Sequence, residues 1–284
     1  MLVLFSGVAH ASWNLMLKRS HNQEVFVWWL QIAQVSLFAP LAIFLFASDN
    51  IAYPGWWFVV GTSLIHMLYF VFLSRSYKHG DLSLVYPLAR GTGPVLAPVL
   101  GTVLLGEEVT VLAALGIVTV VAGIFASYWW DKGLDIVRNP MRLLKDPGTR
   151  YALLTGLTIA SYTVWDKLGV QYVNPLLYMY LLAAGTVSGL APYMVGKHGV
   201  RVMKKELRMN LFPIVGAGIL AFIAYAAVLS ALQVSNVSYV SPSREVGIVF
   251  SVLLGALILK EPVTTGRVAG SVAIVFGVFL IALG

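Results

Sequence analysis

Apolar stretches long enough to cross a bilayer follow one another along almost the whole chain, with only short polar connectors between them. About 20 apolar residues in a helix cover the hydrocarbon thickness. Such stretches lie near 1–18, 25–47, 54–76, 82–105, 109–130, 151–170, 175–196, 211–232, 236–259 and 263–284. In hydrocarbon every backbone amide has to find a partner inside the protein, so the spans are helices. The expected fold is all-α: a polytopic membrane protein of ten transmembrane helices. Composition agrees, since 11% of the 284 residues are charged and the mean hydropathy is +0.84, against about 25% charged in soluble domains. Little length remains for a soluble domain.

A net charge of +7 and a pI near 9.6 raise the question of nucleic acid, but the cations sit in short connectors between apolar spans, which is a topology signal. No nucleic-acid partner is expected. The chain has no cysteine, which excludes thiolate catalysis and cysteine metal sites. His10 and His66 lack the further ligands a metal needs, and no Walker motif is present. No paired-carboxylate, Ser/His or His-rich cluster is present either, so neither an enzyme nor a cofactor is expected. An intramembrane enzyme and a non-transporting scaffold are the competing classes. The first segment has no basic region before its apolar run and no small-residue cleavage site, so it reads as a retained helix.

An internal repeat divides the chain. Gly7, Ala11, Ser12 and Lys18 match Gly156, Ala160, Ser161 and Lys167 at one offset. Val85 and Pro87 match Val240 and Pro242. Glu107, Val109, Thr110, Gly116, Gly123 and Phe125 match Glu261, Val263, Thr264, Gly270, Gly277 and Phe279. The offset falls by one between Pro87 and Glu107, so Arg90 corresponds to either Arg244 or Glu245. The repeats span 1–130 and 151–284, with a polar connector at 131–150. Another polar segment, 197–210, reads as interfacial. Five spans per repeat is an odd number, so the two repeats must be inverted. The connectors after the first, third, fifth, seventh and ninth spans, with the span ends that flank them, hold 16 of the 19 Lys and Arg, whereas the alternate ones carry Asp49, Glu107 and Glu108. The positive-inside rule then puts both termini outside the cytoplasm.

Within this frame the stretch Leu82–Glu107 stands out. It carries Tyr86, Pro87, Arg90, Gly91, Gly93, Pro94 and Pro98. Proline breaks the helix ladder, and an intramembrane charge is costly unless it is paired or functional. Val240–Glu261 repeats the design with Pro242, Arg244 and Glu245. Two broken helices at matching places point towards a binding site. Arg90 has two readings, a structural ion pair with Glu245 or a contact to substrate or proton, and the two are compatible. Ser6, His10 and Asn14 form a polar stripe on the first span, with Trp13 beside it. Thr62, His66 and Tyr69 lie on the third. Each set is either helix–helix glue or a cavity wall, and a histidine, with an unperturbed pKa of about 6.5, is a candidate carrier of a coupling proton. Tyr86, Tyr162, Trp165, Tyr225 and Tyr239 are candidate walls, because the other tryptophans cluster at span ends as an interfacial belt. Asp166 and Lys167 read as anchors at the interface, with Lys167 snorkelling, or, for Asp166, four residues after Tyr162, as a group facing the cavity mouth. Pro87, Pro242, Glu107 and Glu261 are gating or structural candidates, the two carboxylates being solvated or capping groups unless they help to close a cavity. Gly116, Gly123, Gly270 and Gly277, seven residues apart in pairs, read as scaffold between repeats or as a dimer surface.

The duplicated five-span unit, Ala11-Ser12-Trp13-Asn14 with Lys18, Pro87, Arg90 and Gly106-Glu107, and Pro242 with Lys260-Glu261 together resemble the drug/metabolite transporter superfamily, in particular its EamA-type exporters. That resemblance covers essentially the whole chain. It implies a cavity bounded by spans 1, 3, 4, 6, 8 and 9, and secondary transport of a small organic solute, by export, across the cytoplasmic (inner) membrane. Many relatives are thought to keep their termini in the cytoplasm, where the charges here argue the reverse. Arg90, Arg244, His10 and His66 favour anionic or zwitterionic metabolites such as amino acids. The expected partners are this solute, the lipid bilayer and a coupling proton, with the protein a monomer or homodimer. A C-terminal reporter active only in the cytoplasm is expected to stay silent in cells; a signal from it would reverse the orientation read from the connectors.

Overall fold

The computed structural model describes residues 1–48, 50–80, 82–130 and 145–284, apart from the side chains of 82–84 and 87. Asp49 and most of the expected 131–150 connector lie outside this set. The described residues form helices and no strand: α1 Leu2–Lys18, α2 Gln23–Ser48, α3 Tyr53–His79, α4 Leu82–Leu105, α5 Val111–Trp129, α6 Pro147–Gly169, α7 Pro175–Val234, α8 Val237–Ser243, α9 Val246–Leu259 and α10 Thr265–Leu283. Among them seven helical segments are long and apolar enough to cross a membrane, which makes the chain a polytopic, multi-pass membrane protein.

Seven is fewer than the ten spans expected, and the reasons are physical. Helix α1 has only 17 residues, and α6 carries Arg150, Asp166 and Lys167 among its apolar residues. Helix α7 counts once although it covers two expected spans. Its 60 residues are interrupted at Gly199 (φ 74°, ψ 149°) and Asn210 (φ −124°, ψ 25°), so the interfacial segment expected at 197–210 is a short helix between two apolar ones.

The expected break in the fourth span is absent. Helix α4 runs from Leu82 to Leu105 despite Pro94 and Pro98. A proline deletes one amide and pushes away one carbonyl, which bends a helix without ending it when the other ladder bonds hold. The break does occur in the ninth span. The ladder gives way between α8 and α9, where Glu245 N–H bonds the Pro242 carbonyl at 3.1 Å and Ile248 N–H bonds that of Glu245 at 2.9 Å, both three residues back.

The chain forms two compact units, residues 1–67 with 165–234 and residues 68–164 with 235–284. Each draws on both halves of the sequence. In the first unit α2 and α1 pack on α7. Phe26, Leu30 and Ile214 are buried there with Trp13, Met16 and Leu17 against them, and Phe38 stacks on Phe222 at 3.8 Å.

In the second unit α5 and α10 form the most extensive helix pair among the described residues. A Cβ on Gly116 would meet the Gly277 carbonyl oxygen at 2.6 Å, and one on Gly123 the Gly270 carbonyl oxygen at 2.8 Å. The pairing 116 with 277 and 123 with 270 runs in opposite directions, so the helices are antiparallel. The four glycines therefore face one another inside a single unit, and bare backbone is what permits the approach. Val120, Ile124, Ile248, Ile274 and Ile281 fill the space beside this seam. Overpacking a close contact costs about 1–3 kcal/mol, so Gly123→Leu is expected to lower the melting temperature of the purified protein. Gly196→Leu, where a Cβ meets nothing within 4 Å, is expected to leave it nearly unchanged.

Candidate functional site

In the second unit the end of α4 holds the start of α8. The Glu107 carboxylate accepts from the backbone N–H of Val237 (2.7 Å) and of Ser238 (2.9 Å) and from the Ser238 hydroxyl (2.6 Å). The first amides of a helix have no partner within it, and Asn236, the residue at the cap position, makes no side-chain bond. A carboxylate from another helix supplies the cap, where the positive end of the helix dipole also favours it. Glu107 reaches this position because Gly106 takes a left-handed conformation (φ 67°) and the Glu107 N–H returns to the Gly101 carbonyl at 3.2 Å. The same turn occurs at the end of α9, with Lys260 at φ 55° and Glu261 N–H on the Gly255 carbonyl at 3.1 Å. There Glu261 pairs with Arg267 at 3.2 Å. Both glutamates are thus bonded, one as a cap and one in an ion pair.

Further along the same helices Arg90 of α4 meets Glu245 at the α8–α9 break. One guanidinium nitrogen, Nη2, lies 3.2 Å from Oε2 and 3.4 Å from Oε1. Guanidinium and carboxylate can form two parallel bonds through two nitrogens, and that fork is not used here. Arg90 Nε makes no hydrogen bond among the described residues. The two partners differ in access: Glu245 keeps 4% of its side chain exposed, and Arg90 keeps 29%. The pair is therefore neutral, half-satisfied and reachable on its basic side. Tyr69, Tyr86 and Tyr162 lie close enough to act on the guanidinium. Tyr69 and Tyr162 meet edge to face at 6.0 Å, and Tyr86 meets Tyr128 at 5.5 Å. Arg244 is buried and near Tyr69. Tyr239 instead packs on the α5–α10 core. Pro242 is buried in α8, and the side chain of Pro87 lies outside the described residues.

The first unit gathers a different set. His66, buried on α3, has Nδ1 2.9 Å from the Thr62 carbonyl and 3.1 Å from its hydroxyl. Its ring meets Tyr225 edge to face at 5.9 Å. The Tyr225 hydroxyl donates to Asp166 at 2.6 Å, and the Tyr178 hydroxyl donates to the same carboxylate at 2.9 Å. Asp166 is 0% exposed, so its carboxylate is an acceptor inside the protein and not an exposed anchor. The turn after α6 brings α7 back so closely that a Cβ on Gly169 would meet the Tyr178 ring at 2.5 Å. Lys167, expected to snorkel, donates instead to the Leu232 carbonyl at 2.7 Å. Trp165 donates to the Phe58 carbonyl at 2.9 Å. On α1, Trp13 donates to His10 Nδ1 at 2.9 Å and Asn14 to the His10 carbonyl at 2.7 Å, so much of that polar stripe bonds within its own helix. The structure thus brings His66 and Tyr225 together around a carboxylate that hydropathy alone assigned to a surface. The readable signal was the aspartate itself, in a helix otherwise poor in acid.

The profile of the EamA-like transporter family matches residues 1–129 and again 147–283. The chain belongs to the EamA-like transporter family. The match extends over nearly the whole chain, as the resemblance implied, and marks this EamA-like protein as a membrane transporter of the drug/metabolite type. Such a protein moves a small molecule across a lipid bilayer. No curated protein sequence matches the chain. Among 28 matching solved chains, one titled only "Crystal structure of protein" has a TM-score of 0.74 at 17% identity, over 99% of this chain and 94% of its own. At that identity the likeness speaks for the fold.

Removing a buried acceptor strands its donors, at about 1–3 kcal/mol. Asp166→Ala, which leaves two buried phenols without their acceptor, is expected to lower the melting temperature of the EamA-like protein clearly. Asp166→Asn, which keeps a carbonyl oxygen, is expected to lower it less.

Proposed function

We propose that the protein is a secondary transporter that exports small zwitterionic or anionic metabolites, amino acids among them, across the cytoplasmic membrane by alternating access. The observation that carries this reading is the pair Arg90–Glu245. A guanidinium bound through one nitrogen keeps donors for a second anion, since arginine has five N–H groups. A solute carboxylate engaging Nη1 competes with Glu245, while a solute ammonium suits the Glu245 carboxylate. The tyrosines beside Arg90 offer faces for the apolar or cationic part of such a solute. Substrate binding and opening of the ion pair are then the same event, which is what a gate requires.

The organisation we infer is ten spans in two inverted repeats, 1–130 and 151–284. Its support is twofold. The family profile matches twice along the chain. Repeat-related helices also run antiparallel: α5 against α10 through the glycine pairs, and α4 against α8, because Ser238 lies by Pro98 while Glu245 lies by Arg90. Inverted repeats that rock about a midplane site are a recurrent transporter design. Export against a gradient also needs a coupling ion, and the buried His66 and Asp166, each in contact with Tyr225, are our candidates for carrying a proton.

Counterflow into proteoliposomes with labelled amino acids and related anions tests the site. Arg90→Ala is expected to cut exchange of the transported solute by at least about tenfold, the effect of losing ~1.4 kcal/mol of interaction. Arg90→Lys, which keeps the charge without the fork of donors, is expected to recover part of it. Exchange by Arg90→Ala equal to wild type would remove Arg90 from the site.

A further inference from the structure

We propose that the short helix 200–209 is a binding site for anionic phospholipid headgroups. The conformational breaks at Gly199 and Asn210 set this segment apart as a helix of its own between two apolar stretches. It joins two stretches of membrane-crossing length and so lies at a bilayer surface. Arg201, Lys204, Lys205 and Arg208 follow the spacing i, i+3, i+4, i+7, which puts all four on one helical face. All four are exposed. None of them makes an ion pair or side-chain hydrogen bond among the described residues. They line an open groove of about 640 Å³ together with Val200 and Met209.

The opposite face of the segment is fixed. Met203 is buried with Val25 and Met194, and its carbonyl accepts the Trp29 indole N–H at 2.9 Å. Leu207 packs beside Phe26 and Leu30. Glu206, the one acid of the segment, is 3% exposed and accepts from the Asn210 amide at 2.8 Å. The fold thus turns the single negative charge inward and leaves four positive charges together on the outside. Orienting the chain in the membrane requires cations in the connector, but not their alignment on one face, nor the withdrawal of the acid. Met209, Leu211 and Phe212 are exposed apolar residues immediately beyond, with Phe212 at 87%. They suit the boundary between headgroups and acyl chains, as basic interfacial helices do. Headgroup phosphates of that leaflet are the anions within reach.

The test uses the full chain purified with its lipids exchanged. Native mass spectrometry counts retained phosphatidylglycerol against phosphatidylcholine, and melting curves are recorded as each lipid is added. Wild type is expected to retain phosphatidylglycerol preferentially and to melt higher with it. R201Q/K204Q/K205Q/R208Q is expected to lose that preference by about tenfold, since each cation near an anionic surface adds to the attraction. R19Q/K78Q/K260Q, which removes cations elsewhere, is expected to keep it. The pairs R201Q/K204Q and K205Q/R208Q, each expected to lose part of the preference, decide the matter if the quadruple variant does not fold. Equal retention of the two lipids by wild type, or undiminished preference in these variants, would overturn the proposal. So would a matching rise in melting temperature with inorganic phosphate, which would make the site one for a free anion.

Discussion

A carboxylate inside a membrane protein has to be met by donors, because hydrocarbon offers none and a bare buried charge is prohibitive. Much of the described structure answers this demand, and it answers it differently each time. Glu107 is met by backbone amides and a hydroxyl at the start of α8. Asp166 is met by two phenols, and Glu245 by a guanidinium. These solutions are not equivalent. Amides at a helix end are fixed by the backbone, phenols by aromatic packing, and a guanidinium by a long side chain with spare donors. The first two serve as architecture. The third is the one on which the proposed exchange with an incoming anion rests.

The transmembrane character was legible because hydropathy depends on composition alone, and the family resemblance rested on residues whose order recurs. The glycines at 116, 123, 270 and 277 were legible as close-packing positions from their spacing. Whether they packed within the chain or against a second copy was not, because spacing along one helix does not name the facing helix. Arg90 was conspicuous as a charge in an apolar run. Its repeat counterpart was uncertain by one residue, Arg244 or Glu245, whereas its possible ion-pair partner was read as Glu245, and the structure places those two 3.2 Å apart.

Two readings failed for related reasons. Prolines at 94 and 98 suggested a broken fourth span, yet α4 continues, because a helix tolerates a lost bond when its neighbours hold. Asp166 looked interfacial because it lies near the end of an apolar run. Its burial depends on Tyr178 and Tyr225, which are 12 and 59 residues away in sequence, and no local window contains them. A capping role was among the readings of Glu107, but the helix it caps was hidden in the same way, the amides lying 130 and 131 residues further on.

The Glu107 cap carries one further implication. Helix α8 is only seven residues long, or about 10 Å at helical rise, and α4 holds it at both ends: Glu107 at its first turn and Arg90 just past its last. The two fastenings are unequal, three bonds to a carboxylate at one end and a single nitrogen at the other. In the proposed exchange, release by Arg90 would leave the start of α8 pinned by the three bonds to Glu107.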